Sequence, residues 1–182
     1  MAALILDLDA PLPGRLYWDA SFLVHAAYPA SRYYRECYEF LDRLNGADET
    51  LSYVSTLALD EVVFTLIQLK VAEDHPGRGF WDVYRENPQI IQPYLGELRA
   101  LVDHLSSASR IQIVGTDPEF MSLALDYMEN YSLLPRDALH LIIMDRYGVD
   151  SMVTTDADFL PIDGLRIYTC NPKILSRFPS QG

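Results

Sequence analysis

Leu134 to Phe159 reads LPRDALHLIIMDRYGVDSMVTTDADF. LPRDALHLIIMDRYGVD reads as a helix starting near Leu134, with Arg146 near its C-terminus and Gly148 closing it. A short β-prone run, SMVTT, comes next and ends in Asp156 and Asp158, two residues apart. Like charges at that spacing repel unless water or a cation intervenes. Phe159 and Leu160 need apolar cover soon afterwards, which predicts a turn beginning at about Asp156. Helix, tight turn, strand and terminal acid form one unit of an alternating α/β chain.

The same alternation runs outward from this block. RLYWDASFLV places an apolar and aromatic run before Asp19, as expected of a strand ending at that residue. SRYYRECYEFLDRLNG reads as a helix with Ser31 as N-cap and Gly46 as stop, TLSYVST as a strand, and TLALDEVVFTLIQLK as a helix. Beyond the loop HPGRG, residues 89–107 read as helical despite Pro93, and RIQIVG as a strand. In TDPEFMSLALDYMENY, Asp117 is positioned to cap a helix with Pro118 at its first position. LRIYTC reads as the last strand. This order predicts a parallel sheet with helices on both faces.

In an open parallel sheet, ligands bind beyond the carboxyl ends of the strands. Asp19 and Asp156 each follow a strand-like run, Glu61 lies about a turn and a half into a helix that follows a strand, and Asp137 lies in a helix's first turn. All four should reach that one edge, with Asp158 nearby. Close carboxylates raise one another's pKa, and a divalent ion relieves the repulsion. Mg²⁺ and Mn²⁺ favour oxygen ligands, and paired ions ~4 Å apart activate water in phosphodiester cleavage.

The composition limits the alternatives. The 182 residues suit one domain that buries roughly two-thirds of its unfolded surface. Lys plus Arg total 14 against 26 Asp plus Glu, a formal charge of −12, which speaks against a polyanionic partner unless metal neutralises some acids. No apolar run approaches the ~20 residues of a membrane span, and the start lacks a basic segment, so a cytoplasmic protein is expected. Cys37 and Cys170 form neither a metal spacing nor a disulfide framework.

LYWDASFLV, VSTLALDEVV and the opening block, taken together and in that order, resemble the successive motifs of the PIN-domain family, which includes VapC-type toxins of toxin–antitoxin pairs. The resemblance runs from about Leu16 to Cys170. It implies a three-layer α/β fold and a Mg²⁺- or Mn²⁺-dependent endoribonuclease, with Asp19, Glu61, Asp137 and Asp156 as the acidic quartet. Ser21 and Thr154 match hydroxyl positions that hydrogen-bond the site, and Asp158 matches a frequent additional acid. The resemblance further implies an RNA substrate, an antitoxin partner and a homodimer, for which the tyrosine-rich stretch from Tyr28 to Phe40 offers a surface. Relative to such toxins, the single domain over 1–182 carries an N-terminal extension, about 1–15, and a helical insertion, about 71–107.

Other readings compete. One is a PIN-like protein that keeps the fold only to bind a partner, the expectation if the acids hold no metal. Asp7 and Asp9 in LILDLDAPLPG resemble the nucleophile loop of haloacid-dehalogenase-like phosphatases, but Ala10 and Pro11 replace the expected Gly-Thr or Gly-Val. Asp137 alone suits a helix N-terminus, worth ~0.3–1 kcal/mol. His140, on the helix face of Asp137, reads as a packed or hydrogen-bonded core histidine. Arg136 and Arg146 read as solvated or paired with surface acids.

Overall fold

A computed structural model describes residues 3–176, so residues 1–2 and 177–182, the two ends of the span expected for the domain, lie outside the described residues. Six parallel strands form the sheet: β1 (Leu4–Leu6), β2 (Arg15–Trp18), β3 (Leu51–Ser55), β4 (Ile111–Val114), β5 (Ser151–Val153) and β6 (Arg166–Tyr168), in the order β1-β6-β5-β2-β3-β4. From β2 the chain builds outward through β3 to β4 on one side, and β5 and β6 return on the other. The topological switch point therefore lies between β2 and β5, where ligands of such sheets bind.

Side-chain alternation along β2 divides the interior into two layers. Leu16 and Trp18 face a core with α1 (Ala20–Ala27), α2 (Tyr34–Asn45), α3 (Thr56–Asp74), α4 (Phe80–Glu86) and α5 (Leu95–Ser107). Tyr17 faces the other core, with α6 (Phe120–Tyr131), α7 (Pro135–Arg146) and α8 (Pro172–Leu175). Three layers, helix on sheet on helix, are the expected architecture.

Two expected caps are corrected. Ser31 does not cap α2; its Oγ accepts the N–H of Tyr33 and pairs with His25 Nδ1, closing a turn, and α2 begins at Tyr34. Asp117 does not cap α6 with its side chain, because Pro118 and Glu119 form a turn in which Phe120 N–H reaches the Asp117 carbonyl. Helix α4 is not apparent from the sequence, since only Val83 of its residues is buried and its aromatics give no clear stripe. Between α4 and α5 a 3-10 helix, Pro88–Tyr94, contains Pro93 and preserves the expected helical course. β1 pairs with β6 as an edge strand, and Asp7 just beyond it accepts the N–H of Asp9 in a local turn, on the far side of β6 and β5 from Asp19.

Gly148 has φ +61°, the left-handed conformation that ends α7 and turns the chain into β5. A Cβ there would lie 3.1 Å from Nη1 of Arg15, which donates to the Tyr147 carbonyl at 2.9 Å. This fastens the helix exit to the start of β2.

Candidate metal and active site

Asp19 is the first residue past β2, and its backbone N–H continues the parallel pairing by donating to the Val153 carbonyl at 3.1 Å. Its carboxylate caps α1. The Asp19 Oδ2 atom accepts from Ser21 N–H at 3.2 Å, Ser21 Oγ at 2.5 Å and Thr154 Oγ1 at 2.7 Å. Oδ1 has no hydrogen-bond donor among the described residues. The two hydroxyls in turn accept backbone N–H groups of the next loop: Ser21 Oγ from Thr155 at 3.0 Å, and Thr154 Oγ1 from Asp156 at 2.9 Å. Ser21 and Thr154 thus tie the β5 exit to the β2 exit across the switch point.

Asp156 starts the turn expected there. Its Oδ1 accepts the N–H of Ala157 at 2.6 Å and of Asp158 at 3.3 Å, while Phe159 and Leu160 return to the core. Partial withdrawal from water pushes the Asp156 carboxyl above its ordinary pKa, and Asp158 and Asp19 add to the rise against the two N–H groups. Asp137, half-buried in the first turn of α7, is also raised, by burial and then by Asp158, with smaller contributions from Asp156 and Asp19 and an opposing one from His140. Asp19, Asp137, Asp156 and Asp158 share one electrostatic neighbourhood.

Glu61 projects from α3, whose N-cap is Ser55, accepting Ala58 N–H at 2.9 Å. Burial alone would raise its carboxyl, but His140 and Arg136 outweigh burial and hold it below the usual range. Arg136 Nη1 lies 3.0 Å from Oε1, and His140 Nε2 lies 3.4 Å from Oε2. Arg136 is therefore paired with acids, as expected, including Asp60 at 3.9 Å.

His140 is 1% exposed. It is a core histidine whose Nδ1 is 2.6 Å from the Tyr17 hydroxyl, itself 2.6 Å from Ser55 Oγ. One potential ligand atom from each of Asp19, Glu61 and His140 falls within 4.8 Å of the others. Hard carboxylate oxygens, a free Oδ1 and an excess of negative charge are a donor set that fits a divalent cation. A separate hollow of about 380 Å³, lined by Tyr127, Met144, Asp150 and Leu165 among others, lies near the starts of β5 and β6 and contains none of these acids.

Sequence reasoning missed three supports. Tyr17 and Ser55 hold His140 from strand ends, and their polar role is hidden inside apolar runs. Asn171, 8% exposed, donates from Nδ2 to the Thr155 carbonyl at 2.8 Å and accepts the Tyr33 hydroxyl at 3.2 Å. The Asn-Pro pair opening α8 was its only signal.

The profile of the PIN domain family matches residues 16–165. Ribonuclease VapC6 of Methanocaldococcus jannaschii is 26% identical over 115 residues, 61% of this chain and 74% of that protein. Among solved structures, VapC20 of Mycobacterium tuberculosis, described as a sarcin–ricin loop cleaving toxin, superposes with a TM-score of 0.53 at 12% identity, covering 79% of this chain and 92% of that one. VapBC2 of Rickettsia felis, bound to a DNA fragment from its promoter, gives 0.50 at 15% identity, covering 85% and 98%.

Proposed function

The chain belongs to the PIN domain family, and from that premise we propose that it is a divalent-metal-dependent endoribonuclease acting as the toxin of a toxin–antitoxin pair. One observation carries the reading: carboxylates from β2, α3, α7 and the β5 exit gather at the switch point of the sheet, with donors of Asp19, Glu61 and His140 within 4.8 Å. The ribonuclease relative and the VapC-like fold support the RNA substrate and the protein antitoxin.

Asp19, Glu61, Asp137 and Asp156 would hold Mg²⁺ or Mn²⁺. Such an ion supplies charge for the phosphodiester oxygens and lowers the pKa of water. The chain contributes orientation. Ser21 and Thr154 fix Asp19 Oδ2 and so hold the carboxylate in a set orientation before any ion binds. The turn N–H groups hold Asp156 Oδ1 in the same manner. Arg136, bound to Glu61 Oε1, places a guanidinium beside the acids where a substrate phosphate can take over its pairing.

The segment of about 1–15 and the helical insertion of about 71–107 read as additions to the family core, with the start of the profile match at residue 16 in support of the former. No helix among the described residues is long and apolar enough to cross a membrane; the proposal takes the protein as cytoplasmic.

The test is cleavage of single-stranded RNA by wild type, Asp19→Asn and Asp137→Asn in Mn²⁺. Each replacement removes charge at nearly constant volume. Both variants should remain folded by circular dichroism and lose cleavage; variants that cut at the wild-type rate would overturn the assignment.

A further inference from the structure

We propose that His140 supplies a nitrogen ligand, Nε2, to the cation bound by Asp19 and Glu61, making a mixed carboxylate–imidazole centre that prefers Mn²⁺ to Mg²⁺. The inference rests on the reading of the cleft as a metal site.

The orphaned atom comes first. His140 Nε2 is buried and makes no hydrogen bond of acceptable geometry among the described residues, although Glu61 Oε2 is 3.4 Å away. A charge-assisted N–H···O bond would close to roughly 2.7–2.9 Å, and leaving such a buried atom unmatched costs ~1–3 kcal/mol. Adjacent ligands on an octahedral ion with bonds of ~2.1 Å stand about 3.0 Å apart. At 3.4 Å the observed gap exceeds both spacings and lies nearer that of two ligands on one ion. One ion bound to both atoms would satisfy them, with a carboxylate oxygen of Asp19 within 4.8 Å as a third donor.

The ring is also held as a ligand would be. Metal-binding histidines commonly fix their orientation through the other ring nitrogen. Here Nδ1 meets the Tyr17 hydroxyl, which meets Ser55 Oγ, each at 2.6 Å. With Nδ1–H donating to Tyr17 and the Tyr17 O–H donating to Ser55, every hydroxyl has a partner and the Nε2 lone pair is left for coordination. Ser55 still accepts Ala58 N–H as the α3 cap. Edge-on contacts of the imidazole with Tyr17 and Phe159, at centroid distances of 5.7 and 6.4 Å, restrict rotation further. Mg²⁺ takes oxygen ligands almost exclusively, whereas transition ions accept imidazole; the nitrogen therefore discriminates between them.

The experiment loads wild-type protein with Mn²⁺ and records pulsed electron paramagnetic resonance, repeated on protein carrying ¹⁵N-histidine. A nitrogen coupling that changes with the isotope is expected. The chain has four histidines, and His140→Gln should remove the coupling while an oxygen-bound Mn²⁺ signal persists. Calorimetry should show Mn²⁺ affinity falling roughly 10–100-fold in His140→Gln, with Mg²⁺ affinity nearly unchanged. Should that variant fail to fold, the isotope arm is repeated on His25→Gln, His75→Gln and His104→Gln, and a nitrogen coupling that survives in all three assigns His140. Oxygen-only coordination of bound Mn²⁺ would overturn the imidazole ligand and leave the metal-site reading standing; absence of any Mn²⁺ binding would overturn both.

Discussion

Asp156 and Asp158 stand two residues apart but do different work. Asp156 Oδ1 caps its own turn, and its backbone is fastened through Thr154 to Asp19. Asp158 reaches the site chiefly as a charge, the leading carboxylate neighbour of both Asp137 and Asp156. Asn at position 156 keeps an oxygen for the turn, so Asp156→Asn should leave the fold intact and lower Mn²⁺ affinity roughly 10–100-fold, against a small loss in Asp158→Asn. Calorimetric titration of both variants checks the order, and equal affinities for Asp156→Asn and wild type would reject it. Asp137 gives the pH dependence. Its carboxyl is raised by burial and by Asp158, so the folded chain takes up that proton before the unfolded chain does. The associated stability is present at low pH and is lost as pH rises through the folded-state pKa. Asp137→Asn should therefore raise the metal-free Tm at neutral pH, by ~2–4 °C for each ~1 kcal/mol relieved. That advantage should shrink as the pH falls into the carboxylate range. Thermal melts across pH test it, and a variant less stable than wild type at neutral pH would contradict it. At this scale the sequence was readable wherever an acid followed an apolar run, as at Asp19 and Asp156. It was silent on Tyr17 and Asn171, whose partners lie 123 and 16 residues away.

At the scale of elements, strand ends and helix starts carry the site. Ser55 ends β3, caps α3 and receives the Tyr17 hydroxyl, so one side chain joins the helix of Glu61 to the support of His140. Ser55→Ala removes the cap and leaves a buried phenol short of a partner. A loss of about 1–2 kcal/mol is expected by denaturant titration, together with weaker metal binding than a surface cap mutation of equal cost produces. Unchanged stability would show that Ser55 has no such junction role. Helices α3 and α7 and strands β2 to β6 were legible because their apolar runs agree with the turn residues between them; β1, hidden in the N-terminal extension, was not. α4 was not, since its packing depends on Phe64, Phe80, Trp81 and Tyr84 meeting one another rather than on a buried stripe. Ser31 and Asp117 mislead for a shared reason: good capping residues also make turns, and tertiary geometry decides which they do.

Over the whole molecule, a formal charge of −12 coexists with the proposed RNA chemistry because part of the acid is gathered at one edge of the sheet, where cations would offset it. The sequence could show that the strands alternate with helices but not their lateral order, and it is the return of β5 beside β2 that unites Asp19 with Thr154 and Asp156. The two cysteines illustrate the same limit: 133 positions apart, they lie with their Sγ atoms 3.8 Å apart as free thiols. The stretch from Tyr28 to Phe40 buries only Tyr33, Cys37 and Phe40; Tyr28 and Tyr34 are part-buried and Tyr38 is 52% exposed. Its outward face, with Tyr38, is one surface open to a homodimer, and α6 leaves Met121 and Leu125 exposed as an apolar alternative. Light scattering should give twice the chain mass; a monomer at every concentration would remove the homodimer. The central claim is that the acids at the switch point hold a divalent ion that RNA cleavage requires. It is tested most directly by following cleavage of end-labelled single-stranded RNA in EDTA and again after stepwise return of Mn²⁺. Cleavage should cease in EDTA and recover with Mn²⁺ in wild type but not in Asp19→Asn, whereas undiminished turnover in EDTA would contradict the account.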